Sequence, residues 1–373
     1  MQSLQYATGV IQGYQIRREA RSIWERFEDK LSQDVITHIQ SNENLPYLFE
    51  ELSSKLLLPE LKLNEEETRR CREIVKVSPN LIRSLPSYGR KEKYVAITFP
   101  LVHAISKGSR KKSKSDSFDK WEYAVGYAGT ISAEFVDNVA DNEIPSRKDV
   151  KADQWVILYK AFSLLSYKGF EDTLNNTRTG IRDVDDRLES LFKKSHELII
   201  PHYRRSIDVQ NIFTDVNTVK SLYDRTTAEI VRLALGSAPV DELSLSFLLE
   251  RLGGNLGNWL VIYDELEDLV GRQEGNKRRE PRIPNPSIFL AAHGRQEPTN
   301  ETVSRAFYET CSQAEFHRYM LEDDVRMLPN GFKTKPFMEL MLRLARNRLD
   351  KERERFVEYQ SASDLIPQMK LLL

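Results

Sequence analysis

Residues 256–268 read LGNWLVIYDELED. An apolar run, Leu256, Trp259, Leu260, Val261 and Ile262, leads into four acids, Asp264, Glu265, Glu267 and Asp268. On a helix Asp264 and Asp268 lie one turn apart and share a face. Like charges that close repel, so the pair is costly unless solvent or a cation neutralises it. A stretch of the same kind lies upstream at 134–141, EFVDNVAD, where Glu134, Asp137, Asn138 and Asp141 fall on one helical stripe. Either stretch alone reads as a solvated acidic face. Oxygen-only ligands on two facing helices instead suit a hard cation, above all magnesium held between carboxylates and a substrate phosphate.

Outward from these stretches the chain reads as helix after helix. Ile16, Ile23, Trp24, Phe27, Leu31, Val35 and Ile36 recur at helical spacing and predict an amphipathic helix over 14–40. Shorter helices follow over 45–58 and 65–78, punctuated by Pro59 and Pro79. Residues 94–105 are apolar, and 107–117, KGSRKKSKSDS, read as a mobile basic break. One long helix is expected over 118–142, ending in the first acidic stretch. Its small residues, Gly126, Ala128, Gly129, Ser132 and Ala133, permit close helix packing or leave room for a substrate tail. Further helices are expected over 152–168, 186–200, 208–236, 241–271, 299–321 and 335–358, with the segment 169–185 polar and 272–282, RQEGNKRREPR, a second basic loop. Gly253, Gly254 and Gly257 interrupt the 241–271 helix at about 1 kcal/mol each, tolerable where a kink or close substrate approach is wanted. His103 reads as a helix-face residue rather than a catalytic base.

Two acidic stretches in this order resemble a known family. DNVAD is similar to the first aspartate-rich motif, DDxxD, of trans-polyprenyl diphosphate synthases and related class I terpene synthases. GNWLVIYDELED is similar to their second motif, GxxFQxxDDxxD, with Gly257, Asp264 and Asp268 in the matching places. YDRTTA at 223–228 resembles the lysine–threonine motif between the two, and Arg147 follows the first motif roughly where the family has its arginines. The resemblance runs from about Tyr88 to Leu290. It implies the isoprenoid synthase fold, an all-α single-domain bundle of about ten or more helices around a deep central cavity. The whole chain, 1–373, then divides into outer N-terminal helices (1–80), a motif-bearing core (84–292) and C-terminal helices (293–373).

The resemblance also implies a site. Asp137, Asn138, Asp141, Asp264, Glu265 and Asp268 would hold magnesium, more than one ion. Arg225, standing where the family has lysine, would act with the four aspartates in ionising the substrate. Arg90, Lys91, Arg147, Arg225 and Thr226 would hold the diphosphate of a prenyl diphosphate substrate. Gly129, Ser132, Ala133 and Trp259 would line the cavity. The pattern breaks in places: Asn138 replaces an aspartate, Leu260 and Val261 replace the phenylalanine–glutamine pair, and Gly129 lies where a polar contact to isopentenyl diphosphate is expected. The isopentenyl site is thus more eroded than the metal site, which favours a terpene synthase over a chain elongator. Elongation, or prenyl transfer to another acceptor, is the alternative within the class. A non-catalytic, regulatory subunit on the same fold is the alternative from another class. By the family's habit a homodimer is expected.

Composition bounds the rest. With 373 residues and a net charge of −1, the chain is no nucleic-acid binder that relies on bulk positive charge. Two cysteines, Cys71 and Cys311, make no disulfide framework. The first residues lack the apolar core of a signal peptide, and no apolar run reaches spanning length, so a cytoplasmic protein without an integral membrane segment is expected.

Overall fold

The computed structural model describes residues 2–82, 98–109, 115–129, 152–176, 186, 189–190, 227–240, 242–270, 273–274, 277–278, 300–329, 332 and 334–361. These are all-α apart from one small hairpin. The helices are α1 (Gln2–Ser41), α2 (Leu45–Lys55), α3 (Glu65–Val77), α4 (Phe99–Ser109), α5 (Ser115–Gly129), α6 (Ala152–Asn176), α7 (Thr227–Gly236), α8 (Leu243–Val270), α9 (Asn300–Met327) and α10 (Thr334–Ser361), with a 3-10 turn at Pro59–Leu61. In the basic stretch after α8, β1 (Gln273–Glu274) pairs antiparallel with β2 (Lys277–Arg278), Gln273 opposite Arg278. A loop was expected over 272–282, and this short pairing lies within it.

The helices form where the apolar period says, and the core decides how far they run. Along α1, Ile16, Ala20, Trp24, Phe27, Leu31, Val35 and Ile39 are buried at steps of three and four. That stripe packs against α3, α4, α5, α6 and α10. The end of α1 is closed from outside: Arg72 of α3 donates to the carbonyls of Asn42 and Glu43, a cation at a helix C-terminus. Helix α3 starts in a capping box, with the Asn64 side chain accepting from the Glu67 N–H at 2.8 Å and the Asn64 N–H donating to the Glu67 carboxylate at 2.9 Å.

Three helices outrun their sequence signal, the first of them α1, which begins at Gln2 rather than at residue 14. Helix α6 continues past its expected end at 168 to Asn176, into a segment read as polar, because Phe170 prolongs the buried stripe of Trp155, Leu158, Phe162 and Leu165. Lys168 and Asp172 add an i,i+4 ion pair at 2.8 Å, and Lys55 of α2 reaches Glu171 at 3.2 Å. Helix α9 runs past residue 321 to Met327, held by buried Asp324, Val325 and Leu328. A fully buried large apolar side chain contributes about 1.5–3 kcal/mol. An exposed pair such as Arg69–Glu66 is screened by solvent and contributes little, both side chains being more than half exposed. The apolar faces, not the surface ion pairs, therefore hold the bundle.

Helices α7, α8 and α9 form one packed group, and α1 to α6 another. They meet where α5 touches α7 and where α10 lies against α1, α4, α8 and α9. Among the described residues no helix is long and apolar enough to cross a membrane.

Candidate active site

The second acidic stretch lies on the last four turns of α8. The helix is continuous from Leu243 to Val270, so Asp264, Glu265 and Asp268 stand on regular helical backbone. Its core side is fixed by Leu256, Leu260, Tyr263 and Leu266, all buried. Trp259 is buried too, with its ring stacked on Tyr263, centroids 5.3 Å apart and planes 24° apart.

Helix α7 docks antiparallel on α8 through backbone-to-backbone contact. A Cβ placed on Gly257 would meet Ala228 Cα at 2.4 Å and its carbonyl oxygen at 2.8 Å; one on Gly253 would meet the Val231 carbonyl oxygen at 2.6 Å. Gly254, between them, faces only the flexible Arg232 side chain, at 3.6 Å. The close approach anticipated at these glycines is therefore made by a neighbouring helix. On the same interface Arg232 pairs with Glu229 on α7 and with Glu250 on α8.

This docking bears directly on the acids. Counted at 100° per residue, Gly253, Gly257, Asp264 and Asp268 fall within about 60° of one another around α8. The face that α7 covers thus runs on, past the start of α7 at Thr227, into the two aspartates about 10 Å and more beyond Gly257. The chain enters α7 from Arg225 and Thr226, the cationic and hydroxyl residues expected to meet a diphosphate. Arg225 and Thr226 themselves lie outside the described residues.

Helix α5 leads towards the first acidic stretch and ends at Gly129. Its small side packs: a Cβ on Gly126 would sit 3.5 Å from the Phe27 ring of α1. Trp121 of α5 is fully buried and donates its indole N–H to the Ala234 carbonyl and the Ser237 hydroxyl, each at 3.1 Å. It ties the helix before the first motif to the end of α7. Asp137, Asn138, Asp141, Ser132, Ala133, Arg147, Arg90 and Lys91 lie outside the described residues. Among the described side chains no group of three or more His, Cys, Asp and Glu could hold a metal, and the side chains of Asp264, Glu265 and Asp268 lie outside the described ones.

Three polar groups elsewhere are structural. His103 of α4 is buried, with Nδ1 3.2 Å from Glu122 of α5 and Nε2 3.5 Å from Glu19 of α1, the latter too poorly aligned for a hydrogen bond. It joins three helices, as suits a helix-face residue. Asp324 of α9 is 1% exposed and accepts from Arg251 at 2.5 Å and Asn255 at 2.8 Å, which pins α9 to α8. Burial pushes the Cys71 thiol up to about 12, so it stays protonated and inert. The glycine pair at spacing four, 253 and 257, was the sequence signal for the α7–α8 contact; nothing in the sequence marked Trp121 or Asp324.

No protein-family profile matches the chain, and no curated protein matches it. Among solved structures, it is similar to a geranylgeranyl pyrophosphate synthetase from Pyrococcus horikoshii Ot3, with a TM-score of 0.49 and 14% identity, over 84% of this chain and 98% of that one. It is also similar to a decaprenyl diphosphate synthase from Rhodobacter capsulatus, with a TM-score of 0.46 and 13% identity, over 81% of this chain and 99% of that one.

Proposed function

We propose that the chain is a class I isoprenoid synthase, which ionises an allylic prenyl diphosphate with release of diphosphate. The observation that carries this reading is the line on α8: the face on which α7 docks continues, past the start of α7 at Thr227, into the turn that carries Asp264 and Asp268. Two carboxylates so placed on one helix are oxygen donors suited to magnesium.

Asp264, Glu265 and Asp268, together with Asp137, Asn138 and Asp141, are the residues that would hold magnesium. When bound, it supplies positive charge where negative charge develops on the leaving diphosphate. Arg225, Arg147, Arg90 and Lys91 hold the diphosphate oxygens through charged hydrogen bonds, and Thr226 adds a hydroxyl donor. The apolar helices keep water from the cation left behind, which would otherwise be quenched. Asn138 keeps an oxygen ligand while removing one charge, and Gly129 offers no polar side chain to a second diphosphate. Those two features favour a terpene synthase, acting on one diphosphate by elimination or cyclisation.

The test is incubation with magnesium and a panel of allylic diphosphates from geranyl to geranylfarnesyl, with and without isopentenyl diphosphate. Hydrocarbon or alcohol from one diphosphate alone supports the terpene synthase reading. Longer diphosphates, formed only with isopentenyl diphosphate, would overturn it in favour of elongation. No diphosphate released under any condition would leave the non-catalytic subunit as the better account.

A further inference from the structure

We propose that the outer face of α9 is the surface on which a second copy of this chain docks, the two α9 helices running antiparallel about a two-fold axis. The proposal does not rest on the functional reading above. Around α9, at 100° per residue, the buried Phe307, Cys311, Ala314, Leu321 and Val325 lie within about 80° of one another, and α9 packs on α8 and α10. The opposite side carries Arg305, Ser312, Phe316, Tyr319 and Asp323, all exposed and within about 60° of one another. They recur at steps of seven, four, three and four, the spacing of a seam between two packed helices. Phe316 is 58% exposed and Tyr319 61%, with Tyr308 and Met320 exposed beside them. Soluble proteins rarely leave such a patch in water, and large ones mark interaction surfaces.

The chemistry of this face selects a second copy as its occupant. Antiparallel pairing about a point midway between residues 312 and 316 sets each Phe316 opposite Ser312 of the second copy, a large side chain against a small one. The same register sets Arg305 opposite Asp323, and the two-fold axis makes that pair twice. Asp323 has no ion pair among the described residues, and Arg305 has only a marginal one, 3.9 Å from Glu309. Arg305, Glu309, Asp323 and Arg326 sum to zero charge, so nothing on the face draws it to an anionic bilayer. The rings of Tyr308, Phe316 and Tyr319, each at least half exposed, offer roughly 250–420 Å² per copy. That is up to about half of the roughly 800 Å² that each partner contributes to a standard interface. The dimer is therefore expected to dissociate on dilution.

The experiment is sedimentation velocity of the full chain across a dilution series, for the parent, Phe316→Asp, Arg305→Glu and the double variant Arg305→Glu with Asp323→Arg. The parent should sediment as a dimer when concentrated and as a monomer when dilute. Phe316→Asp should be monomeric throughout, with a melting temperature near that of the monomeric parent, because the side chain lies outside the core. Arg305→Glu sets like charges together at both ends of the seam and should weaken the dimer by at least about tenfold. The double variant, with the signs exchanged, should restore it; a rescue of that kind does not arise from damage to the fold. A parent that is monomeric at every concentration would overturn the proposal. So would a dimer that Phe316→Asp and Arg305→Glu leave intact, since it associates through another surface. A monomeric parent that cosediments with phosphatidylcholine vesicles, and loses them in Phe316→Asp, would give the face to a lipid surface and overturn the proposal as well.

Discussion

At the scale of single residues, a half-buried imidazole and a buried carboxylate make stability predictions independent of any activity. Burial holds the His317 imidazole below the ordinary 6.5, and its Nδ1 finds no partner among the described residues. The unfolded chain then takes up the proton at higher pH than the folded one. Stability from this group is present above pH 6.5 and is lost as pH falls through the lower folded value. His317→Gln should accordingly lose less melting temperature between neutral and mildly acidic pH than the parent; an identical pH profile would contradict the assignment. Two turns further along α9, Arg251→Gln leaves the Asp324 carboxylate with Asn255 as its remaining donor among the described contacts. Because Arg251 is itself half exposed, water can replace part of the contact, and a cost of about 2 kcal/mol is expected from denaturant unfolding.

At the scale of elements, the helices that position the site are held by few contacts. Trp121→Phe keeps the ring in the core but removes the N–H shared between Ala234 and Ser237, so the α5–α7 junction should lose about 1–2 kcal/mol. The measurement is chemical denaturation of the two proteins side by side. Elements were legible wherever an apolar period ran unbroken: α2, α3 and α8 lie within a few residues of their predicted bounds. Polarity misled at α6, whose end was expected at 168 before the polar segment 169–185, although Phe170 still anchors the next turn. At α8, Gly253 and Gly257 suggested a kink or a substrate approach, and what they admit is the backbone of α7. Sequence periodicity reports which face of a helix is apolar; it does not report which helix covers that face.

At the scale of the whole molecule, the all-α class followed from periodicity, while the arrangement of helices did not. Contacts such as Trp121–Ala234 and Asp324–Arg251 join residues far apart in the chain and leave no local pattern to read. The two acidic stretches were legible because paired acids one turn apart are unfavourable without a cation. Their relation to α7 came only from the fold, which carries the α7-docking face of α8 on into Asp264 and Asp268. The account's central claim is that these aspartates hold magnesium for diphosphate departure. Its most direct measurement is Asp264→Asn, assayed for magnesium-dependent diphosphate release and for the melting shift on adding magnesium. The account predicts that stability without metal holds or rises slightly, by tenths of a kcal/mol, since a repulsion is relieved. It predicts that turnover falls by orders of magnitude, as each lost charge contact costs about 3–4 kcal/mol of barrier, and that the melting shift shrinks. Full turnover together with an undiminished melting shift in Asp264→Asn would mean that the acidic end of α8 is a solvated face, and would contradict the claim.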